Sequence, residues 1–270
     1  MANCMAAGAT IVHNIRPVER ALFIPDWQHR SNKRHQYGIP PIFASNGVWF
    51  CVCGDVVGAG HNHTCNRVSG PATLERHESV LDTVQSICVE EIGLKTRRVP
   101  RIRGITDEDR NRLLIPDLVV ESNDGEIQVA IDVSCVYGEA TSNMPRGSPA
   151  TKSAAELRSI AAVEKRESRK DVHYDVLQHV AGLEIVPFVF ESHGALGARA
   201  DAFIQRLADW ATDGGNGGDA CGLAGYLRRR IAVAIARGNA KLDQRAASLQ
   251  LNSYGALASR GVISSRSCAA

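Results

Sequence analysis

LIPDLVVE at Leu114–Glu121 and EIQVAIDVS at Glu126–Ser134 read as two short strands flanking a turn at Asn123-Asp124-Gly125. Alternating apolar residues carry the period of two of a pleated strand, and Asn-Asp-Gly is turn chemistry. Each strand holds one aspartate, Asp117 after Pro116 and Asp132 fifteen residues later. The pairing delivers both carboxylates to a shared end of a sheet. Two such groups make a site for a hard divalent cation, because Mg²⁺ prefers carboxylate oxygen and water ligands. Asp132 lies inside the apolar run Val129-Ala130-Ile131-Asp132-Val133. An unpaired charge there is expensive, so it requires a metal, a cation or a hydrogen-bond network. This is the skeleton of a metal-dependent phosphodiesterase.

The order of elements around this pair sets the fold class. Leu74 to Ile92 repeats apolar residues at spacings of three and four, which predicts a helix ended by Gly93. Lys95–Ile102 reads as an edge strand interrupted by Pro100. After the two acid-bearing strands, Tyr137–Thr151 reads as a mobile loop. Ser153–Val180 reads as a long helix opened by a Ser153/Glu156 capping box and closed by Gly182. Leu183–Glu191 is a further strand and Ala198–Ala211 an amphipathic helix. Helix, three strands, helix and strand predict an α/β fold, a mixed central sheet flanked by helices.

Residues 1–46 read as an irregular lead-in, 47–70 as a cysteine/histidine knuckle and 71–212 as the main domain. Beyond the glycine-rich joint Thr212–Asp219, 213–248 reads as a basic helical extension and 249–270 as a disordered tail. Arg228, Arg229, Arg230, Arg237, Lys241, Arg245 and Arg260 face only Asp243 between Leu223 and Arg260, a local excess of +6 against a net charge of +2. No window approaches the ~18 apolar residues of a membrane span. No secretory signal pattern opens the chain, and eight scattered cysteines do not form a disulfide framework. An intracellular, reducing location is the expectation.

The knuckle has its own chemistry. Cys51 and Cys53 flank one residue, seven residues separate Cys53 from His61, and three separate His61 from Cys65. Three sulfurs and an imidazole suit tetrahedral zinc, and four protein ligands make the site structural. His63 is an alternative to His61 that spacing leaves open.

Cys51-x-Cys53-Gly54, Gly60-His61-x-x-x-Cys65, Arg76-His77, Pro116-Asp117, Asp132-Val133 and Lys170-x-x-His173-Tyr174 occur in this order. As an ordered set over about residues 47–210, they resemble the C-terminal region of site-specific non-LTR retrotransposon proteins. There a Cys-Cys-His-Cys knuckle precedes a restriction-enzyme-like endonuclease of the PD-(D/E)XK superfamily. The resemblance implies a restriction-endonuclease-like core in which Asp117 and Asp132 bind catalytic Mg²⁺. Other members of the superfamily place a lysine two residues after the second acid, where this chain has Ser134. The retrotransposon branch has Lys-x-x-Lys-Tyr on the following helix, which Lys170 and Tyr174 match and His173 does not. His77 falls on the first helix, where the superfamily often carries another acid, and Glu78 or Glu91 fits that role.

The expected activity is Mg²⁺-dependent nicking of DNA in the nucleus, leaving a 3′ hydroxyl that can prime reverse transcription. DNA and element RNA are the partners the resemblance implies, with DNA gripped through phosphates by the knuckle and Arg228–Arg245. The chain carries no reverse-transcriptase signature. A catalytically inactive, zinc-containing nucleic-acid-binding remnant is the second expectation, and a protein-interaction zinc domain the third. Target sequence and oligomeric state are not written in these motifs.

Overall fold

An apolar stripe at Val80, Leu81 and Val84 drives helix α2 (Asn66–Ser86) onto the sheet. The structure is a computed structural model and describes residues 22–36, 51, 53–57, 60–98, 106–107, 112–122, 125, 128–137, 152–212 and 219–259. Helix α2 begins eight residues before the expected Leu74. Gly70-Pro71 weakens the helical signal there, but packing against the last helix overrides it. The helix widens into one π turn, Ile87–Glu91, where the Ile92 N–H donates to the Ile87 carbonyl at 3.2 Å.

Four strands follow the predicted order: β1 (Lys95–Arg98), β2 (Leu118–Glu121), β3 (Gln128–Val136) and β4 (Glu184–Glu191). β1 pairs antiparallel with β2, β2 antiparallel with β3, and β3 parallel with β4. The parallel step needs a crossover, supplied by helix α3 (Lys152–Ala181). Helices α4 (Ala198–Ala211) and α5 (Ala220–Ser259) complete the fold. Thr106–Asp107 and Arg112–Leu113 form a small separate ribbon.

Alternation along the strands divides the sheet into two faces. Leu118, Val120, Val129, Ile131, Val133, Val186, Phe188 and Phe190 meet α2, α4 and α5. Val119, Ala130 and Ile185 meet Tyr174 and Leu177 of α3 on the other face. Each buried leucine, isoleucine or phenylalanine contributes about 1.5–3 kcal/mol, against about 0–1 kcal/mol for an exposed ion pair. The three-layer packing therefore sets the sheet.

Three expectations change. Residues 26–36 are not irregular but form helix α1 (Asp26–Gln36). It docks on α5 through Asn32, whose amide donates to the Ala236 carbonyl at 2.8 Å. Helix α5 runs to Ser259, through the first part of the expected disordered tail. It is also a core helix, with Ile231 to Ala236 buried, rather than an extension. Its cations mostly fasten it down: Arg228 to Asp201 at 2.6 Å, Arg230 to Glu91 at 2.6 Å, Lys241 to Glu75 at 3.0 Å, and Arg237 to the Phe23 carbonyl. A sequence window counts these charges but cannot see acids supplied by other helices. The Tyr137–Thr151 loop beyond Tyr137, Pro100 and residues 213–218 and 260–270 lie outside the described residues.

Candidate active site and metal-ligand knuckle

Leu118 faces Ile131 across the β2–β3 ladder, so Asp117, one residue earlier, falls opposite Asp132. Pro116, which has no N–H to donate to a ladder, holds the chain just before pairing begins. The Asp117 N–H then donates to the Ile131 carbonyl at 3.0 Å. The Val133 N–H donates to Asp117 Oδ2 at 2.7 Å and orients that carboxylate. Asp132 shares the parity of Ala130 and faces α3, only 5% exposed.

Lys170 and Tyr174 are four residues apart on α3 and therefore share a helix face. Both reach Asp132. The Lys170 ammonium forms an ion pair with Oδ2, while the Tyr174 hydroxyl lies 2.8 Å from Oδ1 and 3.3 Å from the Ile115 carbonyl. A hydroxyl has one proton, and the shorter contact goes to the carboxylate. From the opposite face, α2 contributes His77. Its Nε2 lies 3.0 Å from Asp117 Oδ2 and its Nδ1 3.3 Å from Glu78 Oε1; Arg98 holds Glu78 at 3.2 Å. All five residues expected at the acid site, His77, Asp117, Asp132, Lys170 and Tyr174, thus form one connected constellation. Glu78, rather than Glu91, is the acid beside it, since Glu91 is bound to Arg230. Glu167 also turns away, accepting the Arg199 N–H at 3.2 Å. His173 packs its ring edge-on against Tyr174.

The electrostatics follow from burial. Desolvation raises the Asp132 carboxyl above its usual range, Lys170 opposes the shift and Asp117 adds to it. Burial and the facing Asp132 push the Tyr174 hydroxyl up, so it remains a protonated donor. The hydrogen bond to Asp117 raises His77, against a partial burial cost. Two neighbouring carboxylates, one buried and meeting a cation at Oδ2, form a donor set that favours added positive charge. Hard oxygen donors are the ligands a divalent cation such as Mg²⁺ takes.

In the knuckle, the Cys51 N–H donates to the Asp55 carbonyl at 2.7 Å and the Gly54 N–H to the Cys51 carbonyl at 2.8 Å. This tight turn holds Gly54 at φ 97°, which suits glycine. One helical turn, His61–Thr64, brings His61 and Cys65 together, with the Cys65 N–H bonded to the His61 carbonyl at 2.9 Å. Cys51 Sγ lies 3.6 Å from Cys65 Sγ, Cys53 Sγ lies 3.5 Å from His61 Nε2, and all four ligand atoms lie within 4.8 Å of one another. Tetrahedral zinc with its usual bond lengths implies edges of about 3.8 Å for S···S and about 3.6 Å for S···N. The four residues fit a structural zinc ion. His61 is the imidazole in this set, while His63 points elsewhere. The knuckle docks so closely on the end of β3 that a Cβ at Gly60 would lie 1.8 Å from the Tyr137 hydroxyl.

Sequence reasoning missed the buried network behind the knuckle and paired Arg76 with His77 as one motif. The structure separates them. Arg76 Nη1 lies 3.0 Å from His63 Nδ1 and 2.9 Å from Asn239 Oδ1, linking the knuckle to α5. His63 stacks on His35 at 4.0 Å and His35 on His193 at 4.3 Å. These histidines are far apart in the chain, so no local pattern announces them. Arg76→Met leaves buried polar partners unmatched, each costing about 1–3 kcal/mol. A lowered urea midpoint at unchanged m is expected, and an unaltered midpoint would rule the network out as a fastening.

Asp243 closes the same region, accepting from Ser31 Oγ at 2.5 Å and Asn62 Nδ2 at 3.0 Å. Burial raises its carboxyl, against these bonds and the charges of Arg76 and Arg34. An acid raised in the folded state costs stability above its folded pKa, and that cost disappears as pH falls below the unfolded value. Wild-type stability relative to Asp243→Asn should therefore improve on acidification from neutral pH. Melting curves across pH check this; the opposite trend would contradict the burial argument.

Among the described residues, no helix is long and apolar enough to cross a membrane, and the six described cysteines are free thiols. No protein-family model matches the chain, and no curated protein is similar to it in sequence.

Proposed function

We propose that this chain is a restriction-endonuclease-like, Mg²⁺-dependent DNA-nicking domain of a retrotransposon-like element, stapled by a structural zinc knuckle. The observation that carries this reading is the meeting of Asp117 and Asp132 with Lys170, Tyr174 and His77 at one end of the sheet. The helix, three strands, helix and strand order with a parallel final pair supports it, being the core the retrotransposon resemblance implies.

In this reading Asp117 and Asp132 hold the catalytic ion, which would polarise a phosphodiester oxygen and lower the pKa of the attacking water. The Val133 N–H and Tyr174 hydroxyl keep the two carboxylates fixed. The Lys170 ammonium, already beside Asp132, neutralises negative charge that builds on the phosphoryl oxygens. His77 lies between Asp117 and Glu78 at the edge of the acid pair, and its hydrogen bond to Asp117 favours the protonated ring. Water adds to phosphorus, the P–O3′ bond breaks, and the proton lost by the water is balanced by one gained at the 3′ oxygen. A nuclear location follows from a chromosomal DNA target.

Ser134, buried where other superfamily members carry a lysine, favours one rival: a zinc-containing remnant that binds nucleic acid without cutting it. Supercoiled plasmid incubated with purified protein and Mg²⁺ separates the two. Conversion to open circle supports the nuclease; persistent binding with no nicking under any divalent ion supports the remnant.

A further inference from the structure

Helix α3 is electrically two-sided around the residue that meets Asp132. Lys165, Arg166, Arg169, Lys170 and His173 recur at spacings of three and four on one flank. Glu164, Asp171 and Asp175 recur at seven and four on the other. Asp171 is engaged by Arg199 at 2.5 Å and Asp175 by His179 at 3.1 Å. On the basic flank Lys165 and Arg169 are exposed and Arg166 is half-buried, none with an acid partner among the described residues. Like charges four residues apart, as at Lys165/Arg169 and Arg166/Lys170, repel and weaken a helix. Of these cations only Lys170 meets an acid among the described residues, the buried Asp132. The α5 cations differ, since most are already tied to neighbouring groups.

We propose that the Lys165–His173 flank of α3 is the track for a nucleic-acid phosphate backbone leading into the Asp117/Asp132 pair. This rests on the nuclease reading for the identity of the polyanion. The flank spans about 12 Å at the helical rise per residue, enough to follow successive phosphates of one strand. It ends on Lys170, whose ammonium meets Asp132. A strand held along it would bring a phosphodiester to the acids. Such contacts position the backbone without reading sequence.

The test measures binding of the full chain to a labelled random-sequence duplex, without divalent ions, across a salt series. Each lost phosphate contact flattens the slope of log K against log salt by about 0.9. Lys165→Gln/Arg169→Gln should therefore flatten it by about 1.8. Lys33→Gln/Lys95→Gln, which removes two exposed cations from α1 and from the end of β1 far from Asp117, should leave it unchanged. Matching melting temperature and zinc content confirm that each variant is folded. An unchanged slope in the α3 variant, an equal loss in the α1/β1 variant, or wild-type binding to phosphatidylserine vesicles but not to duplex overturns the proposal. Nicking on the same preparations keeps the two readings apart. Wild type that nicks while the α3 variant keeps its slope sinks the track alone. Flank-dependent binding without nicking sinks the cleavage reading and leaves the track standing.

Discussion

Asp132→Asn should lose Mg²⁺-dependent nicking by at least about 10²–10³-fold, the typical effect of removing one well-placed electrostatic group, while duplex binding persists. Asparagine keeps the shape and an acceptor for Tyr174 at 2.8 Å but removes the charge that meets Lys170. The effect on stability should be opposite in kind. The carboxylate is buried beside a second acid, and burial already disfavours its charged form. A buried charge is poor evidence of a stabilising role, and Lys170, whose side chain is 21% exposed, can turn to water. In metal-free buffer the variant should therefore melt at or above the wild-type temperature. Asp117→Asn should lose nicking as well, and additionally weakens the grip of the Val133 N–H and His77 on that carboxylate. Wild-type nicking by Asp132→Asn would exclude the acid pair from the chemistry.

Removing zinc should have the largest effect on stability. A structural zinc ion contributes folding free energy on the order of 10 kcal/mol in small domains. The knuckle has little apolar packing of its own: Cys51, Val57 and Cys65 pack with Ala246 in a cluster separate from the main core, and the rest of its hold is the polar network through His63 and Asn62. The large apolar face of the sheet does not depend on these residues. Chelation should therefore unfold the knuckle first, releasing the distal part of α5 while β3 and β4 stay protected from hydrogen exchange. Cys65→Ser should reproduce this by deleting one ligand. Metal analysis should give one zinc per chain, and its absence, or a melting curve indifferent to a strong chelator, would rule out the site.

The two acid-bearing strands, the long α3 and the amphipathic α4 were legible because each repeats its apolar residues at its own period. Asp117 and Asp132 were legible as a pair from their two strands, and Asp132 in an apolar run demanded a partner; Lys170, Tyr174 and His77 were reached only through the family resemblance, since nothing local ties them to the acids. Gly70-Pro71 hid the start of α2, where packing outweighed propensity. The α1 helix was hidden because it is polar along much of its length, and its stability comes from docking on α5 through Asn32.

By itself, then, the chain determined its helix and strand order, the two carboxylates and the four-ligand knuckle, because periodicity, turn chemistry and ligand spacing act over short stretches. Only the tertiary structure decided that His61 rather than His63 joins the cysteines, that Arg76 and His77 serve different sites, and that α5 spends its cations on fastening. Those outcomes depend on groups distant in sequence. Arg76 meets Asn239, and Arg230 meets Glu91, only after the layers have packed. The physical reason is that a local pattern specifies which face a side chain occupies, whereas its partner is chosen by whatever the rest of the chain folds against that face.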